Sequence, residues 1–300
     1  MTTRDPSFRC AAASVLRDEP IAGTASTVRA FLLVENTGPW GVDALRDARL
    51  PDGLGRSLST VAAAAGVRPL LIRRPDRRTH QDGIRVFAAH AHPSRPWLES
   101  TVLADPHSLL ELDLEALGAG RSTGLATYDG SLFCVCTHGR HDACCAERGR
   151  PVASALAQAH PKETWEVSHI GGDRFAGNLL VLPHGFYYGR LDPVSALTAA
   201  GAHASGELEL DHFRGRSGHR MPVQFAEVAL RRELGETRDG AVRLVDGSTV
   251  AGVTEAVFDV AGAIWVVRVR TVLGPELQLT CKATGDNPIP RHEVLGIFRR

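Results

Sequence analysis

The chain has 300 residues, of which 43% are hydrophobic and 23% charged, a composition typical of a globular protein. Its 34 basic residues balance its 34 acidic residues, which excludes a net positive field that would attract nucleic acid or an anionic membrane. No apolar run approaches the ~20 residues that span a bilayer, and the first residues carry charges where a signal peptide has its apolar core. We therefore expect a cytoplasmic protein that binds neither nucleic acid nor a membrane.

The N-terminal part of the chain, residues 1–125, has the pattern of an α/β segment. We expect the stretch up to about Ala22 to be frayed. Beyond it, hydrophobic periodicity predicts strands at 28–34, 67–72, 85–90 and 97–103 and helices at 58–66 and 109–117. The glycine-rich run at 118–124 predicts a linker.

The middle part, residues 126–205, has a thioredoxin-like order of elements. The pattern predicts a strand at 132–136, a helix at 151–158, a strand at 164–169, a hairpin of 179–182 with 186–190, and a helix from Asp192 to about 200. Residues 206–300 read as an α+β segment, with a helix at 224–234 and strands at 257–260, 264–272 and 277–283. No internal repeat is apparent in the sequence.

The cysteines are unevenly distributed, and in a chain of this length without an export signal we expect them to be reduced. Cys134, Cys136, Cys144 and Cys145 fall within twelve residues, whereas Cys10 and Cys281 are isolated. Thiols clustered in a reducing compartment are more often ligands or redox groups than disulfides. We predict that Cys10, Cys134 and Cys281 are small buried hydrophobic residues rather than ligands.

Cys136 and one of the pair Cys144 and Cys145 are well placed to act as ligands. Cys134 and Cys136 share one face of a strand, and only Cys136 lies at its loop end. Asp142 is a plausible helix cap, which would place Cys144 and Cys145 near a positive helix end that favours thiolate. Consecutive helical positions diverge by about 100°, so one of this pair should face the loop and the other the core.

A second loop follows at residues 168–178, with the sequence Ser-His-Ile-Gly-Gly-Asp-Arg-Phe-Ala-Gly-Asn. Gly171 and Gly172 argue against a continuous helix between His169 and Asp173 and favour a tight loop with exposed N–H groups. Such a loop can approach an inorganic centre and donate hydrogen bonds to its sulfides. Two sulfur atoms from one loop and two donors from another describe a four-ligand metal site.

These motifs resemble the sucrase/ferredoxin-like family. The resemblance rests on Cys136-x8-Cys145, on segment 163–178 with Trp165 and His169, and on Leu-Pro-His-Gly-Phe-Tyr-Tyr-Gly at 182–189. Gly-Thr-Ala at 23–25, Leu-Val-Glu at 33–35 and Gly-Pro-Trp-Gly at 38–41 extend it over most of the chain. It implies a thioredoxin-like ferredoxin domain whose [2Fe–2S] cluster is held by two cysteines and a His-x3-His pair. Carried over by position, the ligands are Cys136, Cys145, His169 and Asp173.

Asp173 departs from the family pattern, because a carboxylate stands where the relatives have histidine. A carboxylate is a harder ligand than imidazole or thiolate and suits an iron–sulfur centre less well. Three outcomes stay open: Asp173 binds one iron, another donor replaces it, or the site holds a different metal or none. The candidate replacements are His138, His141 and Cys144.

The sequence therefore predicts an electron carrier, rather than a self-contained enzyme, that serves an unidentified redox partner protein. One alternative is a metal-free thiol–disulfide enzyme or sensor that uses Cys144 with Cys145 or Cys134 with Cys136, although the thioredoxin Cys-x2-Cys spacing is absent. The other is a structural zinc site on the residues of the predicted cluster. We assign the basic run Arg214, Arg216, His219 and Arg220 to a solvated linker, with a docking patch for an acidic partner as its alternative.

Overall fold

The computed structural model describes residues 5, 7–76 and 83–300. Six α-helices lie within these residues, and no helix among them is long and apolar enough to cross a membrane. The helices are α1 (Cys10–Leu16), α2 (Leu54–Ala64), α3 (Leu114–Gly118), α4 (Ala143–Ala159), α5 (Pro193–Ala204) and α6 (Met221–Leu234). Short 3₁₀ helices lie at Pro106–Leu110, Asp173–Phe175 and Asp239–Ala241.

The strands form a ten-stranded mixed sheet and a four-stranded antiparallel sheet, which confirms the predicted α/β class. The large sheet contains β1 (Ala30–Glu35), β2 (Val67–Arg73), β3 (Ile84–His90), β4 (Trp97–Leu103), β5 (Ala126–Thr127), β6 (Leu132–Cys136), β7 (Thr164–Val167), β8 (Leu179–Leu182), β9 (Phe186–Tyr188) and β10 (Phe213–Arg216). The small sheet contains β11 (Val242–Val250), β12 (Val253–Val260), β13 (Ala263–Leu277) and β14 (Asn287–Arg299).

The large sheet is built from two halves with the same topology. Its strand order is β10-β9-β8-β6-β7-β2-β1-β3-β4-β5, and only β1 with β2 and β6 with β7 pair in parallel. The first half, β1–β5, and the second half, β6–β10, each run strand, helix, strand, hairpin, helix, strand. The second half has the thioredoxin-like order that the sequence predicts, and the first half repeats it, although no repeat is apparent in the sequence.

The two halves meet where β2 pairs with β7 in antiparallel register. The guanidinium of Arg73 on β2 lies 2.6 Å from the carboxylate of Glu166 on β7, and both residues are buried. On one face of the sheet, the rings of Phe87 and Trp165 meet with their centroids 5.7 Å apart in a core to which both halves contribute. The sheet is therefore continuous across the predicted boundary at 125/126, and the division into three domains stays a prediction.

Several predicted elements differ in extent from the observed ones. Helix α1 lies within the stretch predicted to be frayed, and α4 begins at Ala143, before the predicted start at Pro151, because the Asp142 carboxylate accepts a hydrogen bond from Cys144 N at 2.9 Å. The prediction of a strand at 277–283 is wrong, because β13 ends at Leu277 and residues 278–286 lie in neither helix nor strand.

In the C-terminal part, α6 packs on the small sheet. A buried ionic network surrounds Glu227 of this helix. Glu227 Oε1 lies 2.8 Å from Arg216 Nε and 3.0 Å from Arg231 Nε, and all three side chains are buried. Burial alone would raise the pKa of Glu227, but the two guanidinium charges lower it to about 2. The prediction of a solvated linker is wrong for Arg214, Arg216 and His219, which are buried.

We expect Glu227→Gln to lower the free energy of unfolding at neutral pH by about 3–5 kcal/mol, because it leaves two guanidinium charges buried without a counter-charge. The folded pKa of Glu227 lies below the ordinary value of 4.5, so its stabilisation is complete above that pH and is lost as the pH falls towards 2. Urea unfolding of both proteins between pH 7 and pH 3 measures this difference.

The matched control is Glu233→Gln, which changes an exposed carboxylate on the same helix. It should alter the unfolding free energy by less than ~0.5 kcal/mol. A gap between wild type and Glu227→Gln that stays constant as the pH falls would contradict this account of the network.

Candidate metal centre

The structure brings three of the four predicted ligand residues into one group and places Asp173 beside two of them. One sulfur atom from each of Cys136 and Cys145 and one ring nitrogen of His169 all lie within 4.8 Å of one another. Asp173 Oδ1 lies 3.2 Å from Cys145 Sγ and 2.8 Å from His169 Nδ1. Both thiols and the carboxylate are buried, whereas the His169 side chain is 25% exposed. The group therefore has a buried sulfur side and a partly exposed imidazole side.

The parallel pairing of β6 with β7 explains this convergence. Cys136 and Val167 are register partners at the ends of the two strands, so the loops that follow start from the same edge of the sheet. Helix α4 lies so close to that edge that a Cβ at Gly149 would collide with the carbonyl oxygen of Cys136. Cys145, in the first turn of the same helix, consequently lies beside the end of β6.

Gly171 and Gly172 allow the loop after β7 to take its course. Their φ angles are +98° and +80°, in the region that residues with a Cβ rarely adopt. A Cβ at Gly172 would also collide with the guanidinium of Arg214. The loop can therefore turn back on itself and present His169 and Asp173 to the same group of atoms.

Arg214 holds this loop from inside the protein. Its Nη1 donates to the carbonyl of Gly171 at 3.1 Å and to Asn178 Oδ1 at 2.8 Å, and its Nε donates to Thr24 Oγ1 at 3.0 Å. No signal in the sequence distinguishes Arg214 from its exposed neighbour Arg220. Its role as a positioning residue becomes visible only when β10 is placed in the sheet.

The pKa values of the groups in the metal-free site depend on one another. A hydrogen bond from Cys145 and the charge of His169 keep the pKa of Cys136 well below its usual range, despite burial. Burial disfavours a charged imidazole, but Asp173 and Cys136 raise the pKa of His169 to about 9. Burial likewise opposes ionisation of Asp173, yet His141 and His169 lower its pKa. These interactions favour the charged forms of Cys136 and Asp173, and His169 must lose a proton before its nitrogen can bind a metal ion.

The donor set suits a soft or borderline metal centre. Thiolate and imidazole are the ligands that zinc and iron–sulfur centres prefer, and the carboxylate is the one hard donor. His169 Nδ1 is buried and, although it is near Asp173, makes no well-directed hydrogen bond with any residue that the structure describes. Once the ring has lost its proton, this buried nitrogen can bind a metal ion.

The structure also distinguishes between the alternatives to Asp173. His138 is engaged at both nitrogens, since Nε2 lies 2.7 Å from the carbonyl of Gly41 and Nδ1 accepts from His169 N at 3.3 Å. Cys144 points away from the group, with its sulfur 3.5 Å from that of Cys281. His141 stacks on His169 with the ring centroids 3.8 Å apart, and its Nε2 lies 3.6 Å from Asp173 Oδ2. Of the three alternatives, only His141 lies within reach.

A cleft of about 420 Å³ opens beside the imidazole side of the group. His138, His141 and His169 form part of its wall, and residues of the loop after β1 and of β2 form most of the rest. The His141 side chain is 34% exposed there. Solvent, or a bound partner, can therefore approach the two stacked imidazoles but not the two thiols.

We expect Arg214→Lys to lower the free energy of unfolding by about 3 kcal/mol, because a lysine cannot satisfy the buried acceptors around the loop, each of which costs ~1–3 kcal/mol when left unpaired. Backbone amides of residues 169–173 should exchange hydrogen faster in this variant. Denaturant unfolding and hydrogen–deuterium exchange measure the two effects. Arg220→Lys, at an exposed position, is the control, and equal exchange in both variants would contradict the role of Arg214.

Comparison with known proteins agrees with the motifs at this centre. No curated protein and no solved structure gave a significant match. A family model described as sucrase/ferredoxin-like matches residues 21–198, more than half of the chain, and this span contains all four residues of the group. The resemblance drawn from the sequence motifs is thereby confirmed, and the chain belongs to the sucrase/ferredoxin-like family.

Proposed function

We propose that the protein is an electron carrier with a [2Fe–2S] cluster bound by Cys136, Cys145, His169 and Asp173. The observation that supports this most strongly is the meeting of two thiols, an imidazole and a carboxylate at the carboxyl ends of β6 and β7. Family membership adds to it, because the matched segment includes all four residues. When bound, such a cluster supplies one-electron redox chemistry at a potential set by ligand charge, hydrogen bonding and exposure.

The residues of this site have different roles in the proposed centre. Cys136 and Cys145 supply sulfur ligands in a place that excludes water, and Arg214 fixes the loop that supplies the other two donors. His169 and His141 form the exposed edge, so we propose that a redox partner protein docks over the cleft beside them. The six cysteines are all free thiols in the structure, which supports a reducing compartment such as the cytoplasm.

Asp173 should set the potential of the site. A carboxylate carries a negative charge that a neutral imidazole lacks, and negative charge near iron stabilises the oxidised state. The potential should therefore be lower than that of a centre with two cysteines and two histidines.

The first test is the presence of the cluster. Anaerobic purification should give a red-brown protein with two iron and two acid-labile sulfide per chain, as the formula [2Fe–2S] requires, and an EPR signal after reduction with dithionite. Cys136→Ser, Cys145→Ser and His169→Ala should lose colour, iron and signal, because each removes a ligand. Cys134→Ala, which changes a buried thiol on the same strand but outside the group, should keep them. A colourless wild-type protein without iron or sulfide would refute the proposal.

The second test concerns the charge at Asp173. Asp173→His should keep the cluster and raise its reduction potential by on the order of 100 mV, because one negative charge is removed from the iron ligands. A potentiometric titration followed by EPR measures the shift. Asp52→His, which removes an exposed carboxylate, should leave the potential unchanged. An unchanged potential and spectrum in Asp173→His would show that Asp173 is not a ligand.

A single zinc ion is the second candidate, and one observation favours it. The sulfur atoms of Cys136 and Cys145 and a nitrogen of His169 all lie within 4.8 Å of one another, close enough to share one tetrahedral ion. Zinc analysis of protein expressed with adequate iron separates the candidates, since stoichiometric zinc lost in both Cys136→Ser and Cys145→Ser, with no iron, supports zinc. The metal-free disulfide alternative has less support, because Cys144 and Cys145 point to different groups.

A further inference from the structure

A second sulfur group lies on the other side of the first turn of α4. Cys10 from α1, Cys144 from α4 and Cys281 from the loop between β13 and β14 meet there, beside Asp142. Cys281 Sγ lies 3.5 Å from Cys144 Sγ and 3.6 Å from Cys10 Sγ. Cys10 and Cys281 are 271 residues apart in the sequence, so no local motif could have shown that they meet.

The spacing of these atoms matches a tetrahedral metal ion. With Zn–S bonds of about 2.3 Å, two sulfur ligands lie ~3.8 Å apart, and a sulfur and an oxygen ligand ~3.6 Å apart. The two Asp142 oxygens lie 3.6 and 3.7 Å from Cys10 Sγ. A disulfide would need two sulfur atoms about 2.05 Å apart, and the third cysteine would remain a free thiol. The Cys281 sulfur is about equally far from the other two, and all three lie within 4.8 Å of one another, which favours one shared ion.

Asp142 supplies an independent reason to expect a cation. Its carboxylate is fully buried, and no lysine, arginine or histidine in the described part of the chain forms an ion pair with it. Its oxygens accept hydrogen bonds from Cys144 N at 2.9 Å and from Cys281 N at 2.7 Å. Two hydrogen bonds orient the carboxylate but do not neutralise it, and buried charges in proteins are normally paired or bound to a metal.

We propose that this group is a structural Zn²⁺ site in which Cys10, Cys144 and Cys281 bind as thiolates and Asp142 is the fourth ligand. The three thiol protons pass to solvent when the ion binds. The remaining lone pairs of the Asp142 carboxylate stay available, because each oxygen accepts one backbone hydrogen bond. The site is separate from the group formed by Cys136, Cys145, His169 and Asp173.

The ion would fasten α1 and the loop between β13 and β14 to α4. Helix α1 has only seven residues, too few to be stable alone in water. The loop that carries Cys281 lies in neither helix nor strand. The apolar cluster around the thiols is small, with Phe8, Ala11 and Ala176 as its other members. A tetrahedral ion would add a direct link between these short segments and α4.

Zinc content and site mapping test the proposal. The full chain, expressed with zinc and iron and purified anaerobically under reducing conditions, should contain one zinc ion per chain by elemental analysis and native mass spectrometry. Cys10→Ala and Cys281→Ala should each lose it. Cys134→Ala, which removes a buried thiol outside both groups, and Cys136→Ala, which disrupts the other group, should keep it.

Alkylation provides a second measurement that does not depend on protein yield. Cys281 is the most exposed of the three thiols, and iodoacetamide should label it at least about tenfold faster after zinc is removed with a chelator. Iron content, or the EPR signal where a cluster is present, should be unchanged in Cys281→Ala. This separates failure of the zinc site from failure of the other group.

Three results would overturn the proposal. The first is zinc content that is the same in Cys281→Ala and Cys134→Ala. The second is protein that neither contains zinc nor binds it when reduced and mixed with Zn²⁺, with Cys281 labelled equally fast before and after. The third is a peptide map of the anaerobically purified protein with a disulfide between any two of the three cysteines.

Discussion

The parallel pairing of β6 with β7 is the constraint on which the candidate metal centre depends. It puts the loop after Cys136 and the loop that carries His169 and Asp173 at one edge of the sheet. The chain must then cross from β6 to β7 through α4, and the crossing places Cys145 at the same edge. Three separate parts of the sequence consequently meet without any of them being long or unusual. The buried guanidinium of Arg214 completes the arrangement by filling the space behind the two glycines.

The same topology occurs twice in the large sheet, but of the two halves only the second carries the thiols and the imidazole of the candidate centre. Where β6 ends in Cys136, β1 ends in Glu35, and β2 ends in Arg73. Arg73 is used in the ion pair with Glu166 that joins the halves, and Glu166 also accepts from Thr137 Oγ1 at 3.0 Å. The first half therefore supports the second along its edge strand, and the chemistry depends on the residues at the strand ends rather than on the fold.

Local pattern was sufficient for most strands and for the main residues of the site. The buried apolar run of β1, the hairpin of β8 and β9, and the cap at Asp192 follow from rules that act over a few residues. The spacing of Cys136 and Cys145 and the two glycines identified the loops that converge. Long-range features could not be predicted in this way: the meeting of Cys10 with Cys281, the burial of Arg214 and the repeated topology all depend on which strands pair.

The first turn of α4 links the two sulfur groups physically. Cys144 and Cys145 are consecutive, and the ~100° between helical neighbours sends one sulfur towards Cys281 and the other towards Asp173. Asp142 fixes the start of that turn through its hydrogen bond with Cys144 N and, at the same time, holds the loop of Cys281. The hydrogen bond from Cys144 N to Asp142 does not involve Cys281, so the turn that carries Cys145 keeps its start when Cys281 is replaced. The two groups therefore share one helical turn, but neither depends on the other for its sulfur atoms.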